Sequence, residues 1–401
     1  MSAGAAANKL SDTQRFDWLR LWRSENIGPR TFWSLLHRYG SAGAALAALP
    51  RLMPRGRPAK IASVEDIERE FAAAARSGAR FVAMGEAEYS PHLGNIDAAP
   101  PLVAVRGNLS VFQRPAVAIV GSRNASAAGL AFAERLTRGL ADAGFVIVSG
   151  LARGIDIRAH QISRESGTIA VLAGGLDRIY PANHAPILET LLGNGAAVSE
   201  MPFGWEARGR DFPRRNRIIS GLANGVVIVE AAHRSGSLIT ARFAAEQGRE
   251  IFAVPGSPLD PRAEGTNDLI RNGATLCTSA DDVVEGLARQ IADPVRRHFL
   301  SETPARLLEN EPLWDELDLP DVAPPPNGSI DGAGADLRQM HQDDNAQARL
   351  IALLSPSPVS IDELSRVANL PMRETRAILL ELELSGRLTR SGSDLVSLAA
   401  R

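Results

Sequence analysis

Three arginines stand within four positions of the segment 212–222: Arg214, Arg215 and Arg217. Each guanidinium carries a planar fork of donors that fits a phosphate group. Apolar residues at helical spacing follow in the same segment, so we expect the arginines at the start of a helix, where unpaired N–H groups add partial positive charge. The cluster predicts an anion site. The alternative is a solvated, arginine-rich loop.

Glycine turns follow a series of apolar runs along the middle of the chain. The runs lie at 116–120, 145–148, 169–172, 196–198, 226–229, 251–254 and 274–276. Helical patterns lie between them, for example at 131–141 and 238–247. Alternating strands and helices with continuously apolar strands predict a doubly wound, mainly parallel sheet of the α/β class.

In such a sheet, ligands bind outside the carboxyl ends of the strands. The turns expected there carry glycines, hydroxyls and arginines, which suit an oxyanion. The phosphate-binding candidates in these turns are Gly121, Ser122, Arg123, Gly150, Arg153, Ser235, Gly236 and Ser237. One such turn is weak support, but several that converge on one edge predict a phosphate-rich ligand.

Five further polar residues in these turns invite a catalytic or metal hypothesis: Asp156, His160, Asp177, His184 and Glu230. Their spacing matches no metal signature. We therefore favour the alternative that they cap helices and support the site, and we predict no catalytic residue and no metal. No Gly-x-Gly-x-x-Gly follows the first strand of the series, and no cofactor is predicted.

The formal net charge of −2 conceals an asymmetry along the 401 residues. Residues 301–345 hold 11 acidic residues and two arginines, a net charge of −9, which leaves +7 on the rest of the chain. The segment 293–345 contains three consecutive prolines and is predicted to be a linker. The alternative is that it acts as an autoinhibitor, an acidic mimic that occupies the basic groove. Lys9 and Lys60 are the only lysines, so a P-loop lysine is excluded.

Cys277 is the only cysteine, which excludes a disulfide within the chain and a cysteine-based zinc cluster. No apolar run is long enough to cross a membrane, and residues 1–9 lack the features of a secretory signal. We therefore expect a cytoplasmic protein with no membrane association.

Four regions are predicted: a helical domain at 1–80, a Rossmann-like core at 81–292, the linker at 293–345 and a winged helix at 346–401. The turn 26–30 resembles a helix-hairpin-helix, although a plain helical packing unit is favoured. The expected third helix of the winged helix, 371–386, has a net charge of −1. A groove-reading helix is normally basic, so contact with a protein is favoured over duplex DNA.

The motifs Gly121–Arg123, Ser149–Asp156, Gly174–Pro181, Phe212–Leu222 and Ser235–Thr240 resemble the bacterial DNA-processing protein A family (DprA, also called Smf). The resemblance implies an extended Rossmann-like fold, a homodimer and binding of single-stranded DNA in natural transformation. It further implies protection of incoming strands, loading of the RecA recombinase and single-strand-binding protein as a further candidate partner. The resemblance also implies which residues line the site for the DNA strand, with Phe212 as a surface for a base. They are Ser122, Arg123, Arg153, Arg215, Asn216, Arg217, Ser235 and Ser237.

Two alternatives stay open: a nucleotide enzyme of the phosphoribohydrolase class, which the sheet and its glycine turns also resemble, and an adaptor that acts through the winged helix. Few aromatic residues occur in the core, so we expect affinity to be mainly electrostatic, with a steep salt dependence and minor stacking. Arg123 and Arg217 are each expected to supply about one phosphate contact.

Overall fold

The computed structural model describes residues 9–52, 60–292, 346–391 and 394–399. The predicted linker at 293–345 lies outside these residues. The N-terminal region consists of helices α1 (Asp12–Trp22), α2 (Pro29–Tyr39), α3 (Ala42–Leu52) and α4 (Val64–Arg76). Ser11 caps α1, because its hydroxyl accepts a hydrogen bond from the Gln14 amide. The buried Leu19 and Phe32 share an apolar core with residues of the central sheet.

The central sheet has nine strands. They are β1 (Ala79–Ala83), β2 (Leu102–Gly107), β3 (Ala116–Gly121), β4 (Val146–Ser149), β5 (Thr168–Val171), β6 (Ala196–Ser199), β7 (Gly225–Val229), β8 (Glu250–Ala253) and β9 (Thr275–Leu276). Their order is β1-β2-β6-β5-β4-β3-β7-β8-β9. β2 pairs antiparallel with both neighbours, and the pairs from β6 to β9 are parallel. The predicted mainly parallel sheet is confirmed.

Helices cover both faces of this sheet. They are α5 (Pro91–Gly94), α6 (Ala127–Asp142), α7 (Ile155–Ser163), α8 (Ala185–Leu191), α9 (Asp211–Leu222), α10 (Gly236–Glu246), α11 (Glu264–Arg271) and α12 (Ala280–Ala292). Side chains alternate between the faces of a strand. Ala118 of β3 therefore shares a core with Ile218 of α9, whereas its neighbour Val117 shares one with Leu136 of α6. This alternation is the doubly wound arrangement.

The C-terminal region is a winged helix, as predicted. Its helices are 346–353, Ile361–Ala368 and Met372–Leu384. Its small sheet has the order β10 (Val359–Ser360), β12 (Leu395–Leu398), β11 (Leu388–Ser391). The Ser360 hydroxyl accepts a hydrogen bond from the Glu363 amide and so caps the second helix.

The winged helix packs against the core beside α6. Arg366 forms an ion pair of 3.2 Å with Glu134 of α6. Arg262 donates hydrogen bonds to the carbonyls of Ala352 and Leu354, at 3.1 and 2.7 Å. Ala127, the first residue of α6, lies in the apolar core of the winged helix. The docked domain therefore touches the helix that follows the turn after β3.

The predicted boundary between residues 80 and 81 falls inside β1, which belongs to the central sheet. The side chain of Arg23 also crosses this boundary, because it binds Glu70 and the carbonyl of Glu200. The N-terminal helices and the sheet are thus joined by polar as well as apolar contacts. Among the described residues, no helix combines the length and apolar character that a membrane span needs.

Candidate nucleic-acid interface

Two adjoining cavities open at the carboxyl edge of the sheet, with volumes of about 280 and 520 Å³. They share a wall made of Arg123, Asn124, Ala152, Tyr180 and Phe212. These residues come from the turns after β3, β4 and β5 and from the first turn of α9. The structure therefore joins turns that are far apart in the sequence into one surface, at the edge where parallel sheets hold ligands.

Most of the predicted site residues line these two cavities. They are Gly121, Ser122, Arg123, Gly150, Arg153, Phe212, Arg215, Asn216, Ser235, Gly236 and Ser237. Arg214 and Arg217 line neither cavity. The turn after β7 adds Arg234, which was left out of the predicted site although it directly precedes Ser235.

Three exposed guanidiniums, those of Arg123, Arg153 and Arg234, stand around the cavities. Across the described ranges, no carboxylate lies within 4 Å of any of them, whereas most arginines of the core have an acidic partner. Unpaired cations that face one concave surface attract anions from solution. This surface therefore has free charge available for a phosphate chain.

An aromatic pair forms the wall that the two cavities share. The rings of Tyr180 and Phe212 meet edge to face, with centroids 5.4 Å apart. The guanidinium carbons of Arg123 and Arg215 lie 5.3 and 5.9 Å from the Phe212 centroid. Tyr180 was not among the predicted site residues, and its only sequence signal is its place in the turn after β5. The cavity offers more aromatic surface than the composition of the core suggested.

Arg215 lies in the floor of the larger cavity and is only 4% exposed. Its Nη1 donates to the carbonyl oxygens of Gly150, at 2.5 Å, and of Val171. Burial lowers the pKa of Arg215 to about 10, against the opposing effect of Asp156. A side chain at Gly150 would meet this guanidinium, because a Cβ there would lie 2.4 Å from Nη1. Arg215 therefore ties together the ends of β4 and β5.

Arg214 and Arg217 bind a buried carboxylate that the predicted site did not include. Arg214 Nε donates to Glu200 at 2.9 Å, and Arg217 donates to Glu200 and to the carbonyl of Ala98. Burial would raise the pKa of Glu200, but the two guanidiniums outweigh it and hold the pKa below its ordinary value. The three clustered arginines therefore do not form one open anion site. The sequence signal for Glu200 is its position directly after β6.

The polar residues of α9 and α10 brace the cavity rim. Asn216 is buried, and its amide donates to the carbonyl of Gly236 at 3.1 Å. Ser235 caps α10 by accepting from the Ser237 amide, and the two hydroxyl oxygens are 2.7 Å apart. The Ser122 hydroxyl accepts from the Asn124 amide at 3.2 Å. These contacts fix the turns whose edges face the cavities.

Two of the predicted support residues are carboxyl groups: the buried Asp156, which lines the larger cavity, and the half-buried Glu230, which directly follows β7. Asp156 accepts from the Gly150 amide at 3.1 Å, and burial raises its pKa against the opposing charges of Arg215 and Arg123. Glu230 accepts from the amide and the hydroxyl of Ser126, which caps α6. Burial also raises the pKa of Glu230.

Two further support residues, His160 and Asp177, line neither cavity. His160 is buried, and its Nδ1 lies 2.7 Å from the Thr168 hydroxyl. Burial lowers the pKa of His160 to about 3, so the ring is neutral at physiological pH. Asp177 accepts from the Gly204 amide at 2.7 Å and so holds the loop after β6. Within the described part of the chain, no three His, Cys, Asp or Glu side chains are grouped to hold a metal ion.

We expect DNA affinity to depend on the protonation of Asp156, which lines the larger cavity. As the pH falls through its raised pKa, the carboxylate takes up a proton and the cavity floor loses a negative charge. Affinity should therefore rise on acidification. Asp156→Asn should bind up to about tenfold more tightly than the wild type at neutral pH, with a flatter pH profile.

Fluorescence anisotropy of a labelled oligothymidine, measured across the pH range, provides this comparison. The difference between the two curves isolates Asp156, because every other group is common to both proteins. Parallel curves for the wild type and Asp156→Asn would contradict the prediction.

Three family models match successive parts of the chain. "DNA recombination-mediator protein A" matches residues 80–288. "DprA-like N-terminal HHH domain" matches 12–73 and "DprA winged helix domain" matches 336–392. The model that matches residues 12–73 names the N-terminal region as a helix-hairpin-helix. The sequence analysis placed this interpretation second.

Proteins with related names match over most of their length. The Escherichia coli protein Smf is 38% identical over 301 residues, which cover 74% of this chain and 72% of that protein. The solved structure of DNA processing protein A from Streptococcus pneumoniae has a TM-score of 0.58 and 33% identity, over 69% of this chain and 98% of that one. The Helicobacter pylori protein, whose structure describes a single-stranded DNA binding mode, has a TM-score of 0.49 and 27% identity, over 53% and 96%.

Proposed function

This chain belongs to the DNA recombination-mediator protein A family, and we propose that it binds single-stranded DNA across the carboxyl edge of its sheet. In this proposal the phosphates lie against Arg123, Arg153 and Arg234, and a base packs against Phe212. The protein acts in the cytoplasm as a homodimer that protects incoming strands in transformation and helps to load the RecA recombinase. It has no catalytic role.

The observation that carries the proposal is the combination of unpaired guanidiniums with an aromatic wall. Single strands are bound by positive grooves that follow the phosphates, and aromatic rings accept bases of any sequence. The cavities of about 280 and 520 Å³ have room for individual nucleotides but not for a duplex. Free cations, rings and narrow cavities together favour single-stranded over double-stranded DNA.

The buried arginines have a different role in this proposal. Arg217 and Arg214 stabilise the rim through Glu200, and Arg215 positions the turn at Gly150 beneath Phe212. The exposed arginines then contact the phosphates. The salt dependence of binding should accordingly be carried by Arg123, Arg153 and Arg234 and not by Arg217.

For the winged helix we propose contact with a protein and not with duplex DNA. Its third helix exposes Leu384 and Leu380, which are 80% and 52% exposed. Glu381 lies between them on the exposed surface of the same helix. Apolar and acidic side chains suit a protein partner, whereas a helix that enters a DNA groove is normally basic. RecA and single-strand-binding protein are the candidate partners.

The proposal is tested by titrating the full chain with a labelled oligothymidine and with a duplex of equal length at several salt concentrations. We expect tighter binding of the single strand and a log–log salt slope of about −0.7 for each phosphate contacted. Equal affinity for both DNAs, or a slope near zero, would contradict it.

A nucleotide-processing enzyme is the second candidate, and one observation favours it. Asp156 is a buried carboxyl group with a raised pKa that lines a cavity beside Arg123, and perturbed groups of this kind occur at active sites. Release of free base from nucleoside monophosphates by the wild type, abolished in Asp156→Asn, would support the enzyme.

A further inference from the structure

The loop between β6 and α9 is held rigidly beside the cavities. Asp211 accepts from the indole Nε1 of Trp205 at 2.9 Å and from the amide of Arg208 at 2.8 Å. The Trp205 carbonyl accepts from the amide of Gly175 at 3.0 Å, which anchors the loop to the turn after β5. The loop is therefore held in place by both the indole ring and the backbone of Trp205.

This loop carries an arginine held over an aromatic ring. The guanidinium carbon of Arg208 lies 4.6 Å from the Trp205 ring centroid. Arg208 is exposed, Trp205 is half-buried, and within the described ranges no carboxylate lies within ion-pair distance of Arg208. A planar guanidinium supported from one side by a ring leaves its other face available for stacking.

The pair lies next to the proposed DNA path. Gly209, one residue beyond Arg208, lines the larger cavity together with Phe212. The anchor at Gly175 follows β5, which lies two strands from β3 in the sheet, about 10 Å away. A strand that crosses the cavities from the β7 side towards β5 would therefore pass Gly209 and come next to the exposed Arg208.

We propose that Trp205 and Arg208 form a second stacking platform, on which Arg208 receives the nucleobase adjacent to the one at Phe212. Arg guanidinium planes stack on splayed bases of single-stranded nucleic acids. Trp205 is a positioning residue, because it acts by supporting Arg208. The proposal rests on the proposed binding of single-stranded DNA and adds to it a contact with a base.

The test compares oligothymidine with an abasic oligomer of the same length, which keeps the phosphates and lacks the bases. We expect Arg208→Ala and Arg208→Lys to weaken oligothymidine binding about fivefold, with an unchanged salt slope for Arg208→Lys because the charge is kept. Arg208→Lys should bind the abasic oligomer as tightly as the wild type does. Arg210→Lys, at an exposed position of the same loop, is the matched control and should bind like the wild type.

Wild-type affinity of Arg208→Lys for oligothymidine, or an equal loss on the abasic oligomer, would overturn the platform while leaving the binding of single-stranded DNA intact. A wild-type protein that does not bind oligothymidine at all would overturn both proposals. Trp205→Leu should weaken binding less in the Arg208→Ala background than in the wild type, since the ring acts through Arg208.

Discussion

The triple variant Arg123→Ala, Arg153→Ala, Arg234→Ala is expected to bind oligothymidine about 100-fold more weakly than the wild type. Each guanidinium faces the cavities and has no carboxylate partner among the described residues, so its loss removes a charge-assisted contact worth about 1 kcal/mol. The log–log salt slope should become shallower by about 2, because three contacts on a single strand are lost. Anisotropy titrations at several salt concentrations measure both quantities.

A control with the same change in net charge separates local contacts from a general effect of charge. Arg76, Arg164 and Arg242 are exposed and line neither cavity. Replacing these three with alanine should change the log–log salt slope by no more than the equivalent of about half a phosphate contact. If both triple variants lost affinity equally, binding would depend on the overall charge and not on the carboxyl edge of the sheet.

Glu200→Ala is expected to destabilise the protein by about 3–5 kcal/mol, because it leaves Arg217 buried without its carboxylate. The pKa of Glu200 is lowered in the folded protein, so its contribution is complete above the ordinary pKa of a glutamate. It is lost as the pH falls through the lowered value. Urea unfolding at neutral and acidic pH measures the free energy of unfolding.

The exposed Glu206 in the same loop supplies the matched control, and Glu206→Ala should change the free energy by less than about 0.5 kcal/mol. Arg217→Ala should destabilise like Glu200→Ala, and the double variant should cost less than the sum of the two. A stable Arg217→Ala protein with a shallower salt slope of DNA binding would instead restore Arg217 as a phosphate contact.

Much of the fold follows from local patterns in the sequence. Apolar runs bounded by glycine turns predict the parallel strands, because a strand buried on both faces must be apolar throughout. The caps Ser11 and Ser360 are visible as hydroxyls before helical patterns. β1 was missed, since its pairing with β2 is a long-range contact. The turns that meet at the cavities follow from the rule that ligands bind at the carboxyl edge of the sheet.

The direction of each arginine side chain could not be predicted from the sequence. Arg214, Arg215 and Arg217 share the same neighbours in the sequence. Only Arg215 and Arg217 are buried, because their helix packs against β4, β5 and Glu200. Whether an arginine is paired depends on acidic residues distant in the sequence. The same holds for Trp205, whose position depends on hydrogen bonds to Asp211 and Gly175.

Photocrosslinking tests the central claim most directly. An oligonucleotide with 5-iododeoxyuridine at each position in turn, bound to the full chain and irradiated, marks the aromatic residues that touch its bases. Mass spectrometry should find the crosslinks at Phe212 and Tyr180, in the wall shared by the two cavities. Crosslinks confined to the N-terminal helices or the winged helix, with none at the carboxyl edge of the sheet, would contradict the account.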